Sequence, residues 1–178
     1  MHTRLKILAG LVLIIALSAC GFQLRGAFQV PEALGSVHLS SENPGSPILN
    51  SVRRSMLSSG VQLVDTDQEA PYTLHLSGER SEKRSISVDS LAAAAEFQLR
   101  QFVSYELRSR RGELLVGPHE LIVERNFQND INNVVGKRDE ERLIREEMQV
   151  LLASQIMRRY QAIDTTQLLP VGSELSVR

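Results

Sequence analysis

The chain is poor in the residues that carry most redox, metal and nucleic-acid chemistry. Among its 178 residues there is one cysteine, Cys20, there is no tryptophan, and aromatic residues make up only 4%. A single thiol rules out an internal disulfide framework, so packing alone has to hold the fold in an oxidising compartment. The four histidines, His2, His38, His75 and His119, lie far apart with no second histidine or cysteine at ligand spacing, which argues against a zinc site. Positive charge is not in excess either: 20 basic residues face 21 acidic ones. A nucleic-acid binder needs a basic footprint, and this balance does not supply one. Gly-x-Ser-x-Gly, phosphate-loop and Gly-x-Gly-x-x-Gly motifs are missing. The acid pairs Glu140-Glu141 and Glu146-Glu147 point in different directions on a helix, so they read as a solvated face rather than as glycosidase carboxylates. The expectation is a protein without catalysis, metal or cofactor.

No apolar run is long enough to span a membrane, which takes roughly 20 residues for a hydrocarbon core about 30 Å thick. The run Ile7 to Leu17 ends at Ser18 and Ala19. With Arg4 and Lys6 ahead of it, it has the layout of an export signal, residues 1–19, that is removed. Leu17-Ser18-Ala19-Cys20 fits the bacterial lipobox: an apolar residue, two small ones, then the cysteine. Cys20 is therefore read as a lipid-modified N-terminus, against the alternative of a coincidental thiol or half of an intermolecular disulfide. Acyl chains bury at about 0.8 kcal/mol per methylene and stable anchoring takes more than one chain. Gly21 follows instead of the aspartate that marks inner-membrane retention, which directs the protein to the outer membrane. Without Arg4 and Lys6, 18 basic residues remain against 21 acidic ones.

The rest reads as one domain, residues 20–160. Phe22 to Val30 is an apolar-rich lead, read as an extended arm in preference to a strand, that runs into a first strand near residues 37–40. Ser46 as N-cap and Pro47 at the first helical position open a helix over 47–59 that Gly60 closes. Tyr72, Leu74 and Leu76 alternate with polar residues as in a half-buried strand. The polar stretch 79–85 interrupts that alternation before Ile86 and Val88 resume it, so a long bent strand or a bulge fits. Residues 91–95 read as a loop, though the four alanines also permit a helical turn. Phe97, Leu99, Val103, Tyr105 and Leu107 share one face of the next strand, and Gln98, Arg100, Ser104, Glu106 and Arg108 share the other. Gln101 and Phe102 each break the rule once. A hairpin at 110–113 leads to a strand over 114–127, whose Gly117-Pro118 suggests a bulge or an edge. A last helix is expected over about 139–160, its apolar stripe formed by Leu143, Ile144, Met148, Leu151, Leu152 and Ile156. Residues 161–178 have no period and read as a disordered tail. The fold class is α+β, a two-layer sandwich with two helices on one face of a roughly four-stranded, mostly antiparallel sheet. The other sheet face is polar and has no partner within the chain.

Basic residues are the informative polar signal. Arg80, Lys83 and Arg84 follow one strand, Arg108, Arg110 and Arg111 mark the hairpin, and Lys137 and Arg138 precede the last helix. They are candidates for contact with anionic lipid phosphates or with acidic residues of a partner, although solubility alone accounts for any single cluster.

Cys20-Gly21-Phe22-Gln23-Leu24-Arg25-Gly26 resembles the opening C-G-F-x-L-R-G of the LptE family of outer-membrane lipoproteins. Ala95-Glu96-Phe97-Gln98-Leu99 resembles that family's strand opening, and the element order is similar from Cys20 to about Tyr160. The resemblance implies a non-enzymatic lipoprotein that plugs the β-barrel LptD, assists its assembly and takes part in delivering lipopolysaccharide to the outer leaflet. Lys137 stands where the family has a basic residue implicated in lipopolysaccharide binding, with Arg138, Arg84 and Lys83 as further candidates. Arg100, Arg108, Arg110 and Arg111 are candidates for barrel contact, since a barrel lumen is polar. Family basic positions near residues 91–95 are unmatched in the alanine-rich loop. The competing expectation is a free periplasm-facing lipoprotein that binds a small ligand or peptidoglycan.

Overall fold

The computed structural model describes residues 30–90, 92–130 and 133–168. The export-signal reading, Cys20 and the arm up to Gln29 lie outside the described residues. Five strands, β1 (Ser36–Ser41), β2 (Gln62–Val64), β3 (Tyr72–Val88), β4 (Ala94–Ser109) and β5 (Leu114–Gln128), form one sheet in the order β2-β1-β3-β4-β5. Two helices, α1 (Pro47–Ser58) and α2 (Val134–Gln161), pack on one face of it. The sheet has five strands where roughly four were expected, and it is mixed: β3-β4 and β4-β5 are antiparallel as expected, while β1 runs parallel to both β2 and β3. The expected count missed β2 because three residues are too few to show a period. Its parallel pairing with β1 follows from the helical crossover through α1.

Local chemistry explains the boundaries of α1. Ser46 Oγ accepts from the backbone N–H groups of Ile48 (3.0 Å) and Leu49 (3.2 Å), and Pro47 fills the first helical position, where no donor is needed. At the far end Gly60 takes φ +80°, and the N–H groups of Gly60 and Val61 donate to the carbonyls of Leu57 and Met56. That is a Schellman closure, with Val61 packed beside Met56 in the core.

A bulge in β3 decides which side chains meet α2. Ser77 pairs with Ser104 and Arg80 with Phe102, so Gly78 and Glu79 together oppose Val103. Gly78 sits at φ +59° and donates its N–H to the Glu42 carboxylate at 3.0 Å. The extra residue inverts the parity of the strand. Before it, the even residues Leu74 and Leu76 face the helices; after it, the odd residues Ser81, Lys83 and Ser85 do, opposite Gln101, Leu99 and Phe97. A second bulge at Gly117-Pro118, a cis peptide in the edge strand β5, lies between the pairs Tyr105-His119 and Leu107-Val116.

The two exceptions on β4 have separate explanations. Gln101 is on the helix face and donates to the Arg145 carbonyl at 3.4 Å, whereas Phe102 is on the open face, buried beneath the guanidinium groups of Arg80 and Arg100.

Helix α2 begins at Val134, five residues before the expected start, because Asn133 caps it by accepting from the Gly136 N–H at 3.1 Å. Lys137 and Arg138 therefore lie inside the helix rather than ahead of it, and Asp139, Glu140 and Glu141 fall in its second turn. Its 28 residues span about 42 Å. Only its C-terminal half is buried deeply, through Met148, Leu152, Ala153, Ile156, Met157 and Tyr160. Leu143, expected in the stripe, is 57% exposed. The N-terminal half lies over the end of the sheet, where β3 beyond the bulge offers the polar Ser81, Lys83 and Ser85 and apolar contact is confined to β4 and β5.

The segment expected as a structureless tail begins in order. A short 3-10 turn over Thr165–Gln167 brings Leu168 into the core, and Ile163 packs against it. Residues 169–178 lie outside the described residues. At the other end, the Tyr160 hydroxyl donates to the Leu34 carbonyl at 2.7 Å, tying the last turns of α2 to the start of the described chain. Burial pushes that phenol far above its ordinary pKa.

Candidate functional site

Where β3, β4 and β5 run out beneath the first turns of α2, they enclose a cleft of about 220 Å³. Its floor is aromatic. The Phe97 and Phe127 rings, cross-strand partners on β4 and β5, lie 5.7 Å apart between centroids at a 33° tilt. Lys83 Nζ stands 4.1 Å from the Phe97 centroid and 5.3 Å from that of Phe127, within cation–π range of both. Lys137 and Arg138 border the cleft from α2, with Val134 and Glu141. At its back Asn129 donates through Nδ2 to the Ala94 carbonyl and through its backbone N–H to that of Ala95, both at 2.8 Å, fixing the end of β5.

Three of the four lipopolysaccharide-binding candidates, Lys83, Lys137 and Arg138, thus meet in one place. The fourth does not. Arg84 lies on the opposite face of β3, where its Nε donates to Gln98 Oε1 at 2.8 Å. Strand alternation puts these neighbours on opposite faces, and the parity change at Gly78 decides that Lys83 is the one turned toward the helix.

Glu141 sets the electrostatics of the cleft. Its Oε2 accepts from Lys83 Nζ at 2.6 Å, and its Oε1 accepts from Arg145 Nη2 at 2.7 Å and Nε at 3.0 Å. Burial on its own would raise this carboxyl group, but the hydrogen bonds from Lys83 and Arg145 outweigh it and hold the pKa below the ordinary value. Lys137 pairs with Glu140 at 2.7 Å within the helix. Among the described residues no carboxylate pairs with Arg138. Arg138 and Glu141 also form the rim of an adjoining, shallower cleft of about 540 Å³, bordered further by Pro47, Arg142, Arg145 and Glu146.

The open sheet face holds a different kind of polar surface, closed on itself. Arg100 Nε donates to Glu124 at 2.7 Å and its Nη1 to Glu82 at 3.2 Å, while Arg80 Nη1 donates to Glu120 at 2.7 Å. The Arg80–Glu120 hydrogen bond raises the arginine and lowers the glutamate. Both guanidinium groups lie over Phe102, Arg80 at 3.7 Å and Arg100 at 4.8 Å. Of the four barrel-contact candidates, Arg100 is in this network, and Arg108 sits lower on the same face, paired with Glu106 at 2.6 Å. Arg110 is folded back instead, its Nε donating to the Ala70 carbonyl at 3.0 Å and its Nη2 to that of Glu69 at 3.3 Å. Arg111 is exposed at the hairpin turn, its backbone N–H donating to Ser109 Oγ.

Phe97 and Phe127 belong with the core, as their strand phase indicates, but sequence reasoning did not foresee that they also floor a cleft, and it missed Glu141 as a partner of Lys83. It also did not group His38 with His75. These two line a cleft of about 470 Å³ low on the open face, together with Ser40, Thr73, Glu106 and Arg108. There His38 Nδ1 is 3.0 Å from the Val64 carbonyl, and His75 Nδ1 is 2.9 Å from Ser40 Oγ. The grouping depends on the parallel β1-β3 ladder, which leaves no periodic signal. The phase of Phe97 and Phe127 around the hairpin was the one available clue to the aromatic floor.

Comparison with known proteins places this geometry in a family. The family model LptE, described as Lipopolysaccharide-assembly, matches residues 34–160, which include Lys83, Phe97, Phe127, Lys137, Arg138 and Glu141. The LPS-assembly lipoprotein LptE of Yersinia pestis (strain Pestoides F) is 29% identical over 159 residues, which is 89% of this chain and 75% of that protein. Among solved structures, the uncharacterized lipoprotein B from Nitrosomonas europaea superposes with a TM-score of 0.71 at 22% identity, over 83% of this chain and 95% of that one. A minor lipoprotein from Acinetobacter baumannii gives 0.63 at 21% identity, over 74% and 94%. At these identities the two structures speak for the fold, and the family model's match to most of the domain decides the assignment: the chain belongs to the LptE lipopolysaccharide-assembly family.

Proposed function

We propose that this protein is a non-enzymatic lipoprotein, anchored through acyl chains on Cys20 in the outer membrane. In this reading it plugs and assists the assembly of an LptD-like β-barrel and takes part in delivering lipopolysaccharide to the outer leaflet. The observation that carries the ligand half is the convergence of Lys83, Lys137 and Arg138 over the Phe97-Phe127 floor. Phosphate groups on a glucosamine lipid need point cations and a fork donor, and the cleft offers two ammonium groups and a guanidinium. Aromatic faces suit the apolar faces of sugar rings beside them. The barrel half is supported by the open sheet face. Its polar side chains, with Arg100 at the centre and Arg108 below, suit the polar wall of a barrel lumen. Arg110 and Arg111 lie at the hairpin end of the same sheet, with Arg111 the more available for contact.

The test is charge reversal. The double substitution Lys137→Glu and Arg138→Glu weakens binding of lipopolysaccharide by about tenfold or more, the scale of a lost phosphate contact or two. It leaves the melting temperature and co-purification with the barrel unchanged. Equal affinity in the wild-type and reversed proteins would remove the cleft from the account. Recovery of the native lipoprotein solely as a monomer under mild detergent would remove the barrel.

A further inference from the structure

We propose that Glu141 is a built-in counter-ion, holding Lys83 until an anionic phosphate of the ligand takes its place, so that it competes with phosphorylated amphiphiles for the cleft and moderates their affinity. This rests on the reading of the cleft as a phosphate site. Three cations border or overhang the cleft, and Glu141 is the carboxylate that borders it with them. Its oxygens take one ammonium donor on one side and two guanidinium donors on the other. A phosphate placed beside Lys83 would make the same kind of charge-assisted contacts.

Exchange of one anion for the other leaves no charge stranded. Arg145 lies four residues along α2 and borders the adjoining cleft, so it keeps the Glu141 carboxylate when Lys83 lets go. Lys83 stays over Phe97 and changes only its anion. The pair is partly open to water, with side-chain exposures of 36% for Lys83 and 19% for Glu141, so separating it costs far less than breaking a buried pair. A phosphate monoester brings a charge of about −1.5 to −2 and three acceptor oxygens against the single charge of a carboxylate. It therefore gains more from Lys83 than Glu141 does, and Lys137 and Arg138 add to that gain. An uncharged sugar lipid brings nothing with which to displace Glu141. Glu140 does not share this role, because it pairs with Lys137 at the outer surface and does not border the cleft.

The experiment measures binding of the full-length lipoprotein, in detergent with its barrel, to bis-phosphorylated lipid A and to its dephosphorylated counterpart. Glu141→Gln is expected to bind the phosphorylated lipid about threefold tighter or more, the scale of a partly exposed ion pair, with the dephosphorylated lipid unchanged. In a Lys83→Gln background the same substitution is expected to have no effect. Unchanged or weaker binding by a folded Glu141→Gln protein, or an effect that persists without Lys83, overturns the proposal. Should Glu141→Gln fail to fold, Glu141→Asp retracts the carboxylate from Lys83 while keeping the charge, and the same gain is required of it. Lys137→Ala separates the two levels of the argument. If it binds the phosphorylated lipid as well as wild type does, the cleft reading itself fails. If it binds more weakly while Glu141→Gln is unchanged, the cleft stands and the exchange fails.

Discussion

Lys83 faces the cleft because Gly78 and Glu79 share one place in the ladder, and the backbone there takes a conformation that glycine adopts without strain. At φ +59° an added Cβ meets nothing closer than Ser104 Oγ at 3.6 Å, so Gly78→Ala is charged only for backbone strain, about 1 kcal/mol. Gly117 is more constrained. At φ +88° a Cβ would lie 2.6 Å from the Tyr105 carbonyl oxygen, a backbone atom that cannot rotate away. Gly117→Ala is therefore expected to cost more than about 2 kcal/mol, and urea midpoints of the two variants should fall in that order. Glu141 adds a pH-dependent term. Its folded pKa is lowered, so the stability its pairs contribute is complete above the unfolded carboxylate pKa and is lost as pH falls through the folded value. The gap in urea midpoint between wild type and Glu141→Gln should thus be widest at neutral pH and narrow below the ordinary carboxylate range. A gap independent of pH would contradict the assignment.

The elements that announced themselves in the sequence are those whose cause is local. Ser46, Pro47 and Gly60 mark α1 because a cap, a missing donor and a left-handed residue act within a few positions. Alternation marks β4 from Phe97 to Leu107 because one face meets α2 and the other does not. Loss of the Ser46 hydroxyl removes the acceptor for two backbone donors and the hydrogen bond to Glu79. Ser46→Ala is expected to cost about 1–2 kcal/mol, visible as a melting temperature lower by several degrees. What the sequence hid is non-local. β2 exists only as a neighbour of β1, and α2 starts early because Asn133 caps it. The site was legible in its basic residues but not in its grouping. Lys83 and Glu141, 58 positions apart, meet only because the β3 bulge turns one toward the helix and the early start of α2 brings the other over it. The same bulge excludes Arg84, which sequence proximity had joined to Lys83.

At the scale of the whole molecule, the two helices and the sheet present two unlike polar surfaces. One is an open sheet face whose arginines and glutamates satisfy each other around Phe102; the other is a small cleft in which cations outnumber the carboxylate beside them. A face whose arginines and glutamates are largely paired with each other suits a fixed protein partner, since docking there strands little charge. An unbalanced cleft suits an anionic ligand that comes and goes. This division of labour is the central claim, and it is tested most directly by photocrosslinking in living cells. A photoreactive residue is placed in turn at Val134, on the rim of the cleft, and at Ile122, on the open face, both exposed and outside the ion-pair networks. The account predicts a lipopolysaccharide adduct from position 134 and an adduct of barrel size from position 122. Lipopolysaccharide captured from position 122 and not from position 134 would contradict it.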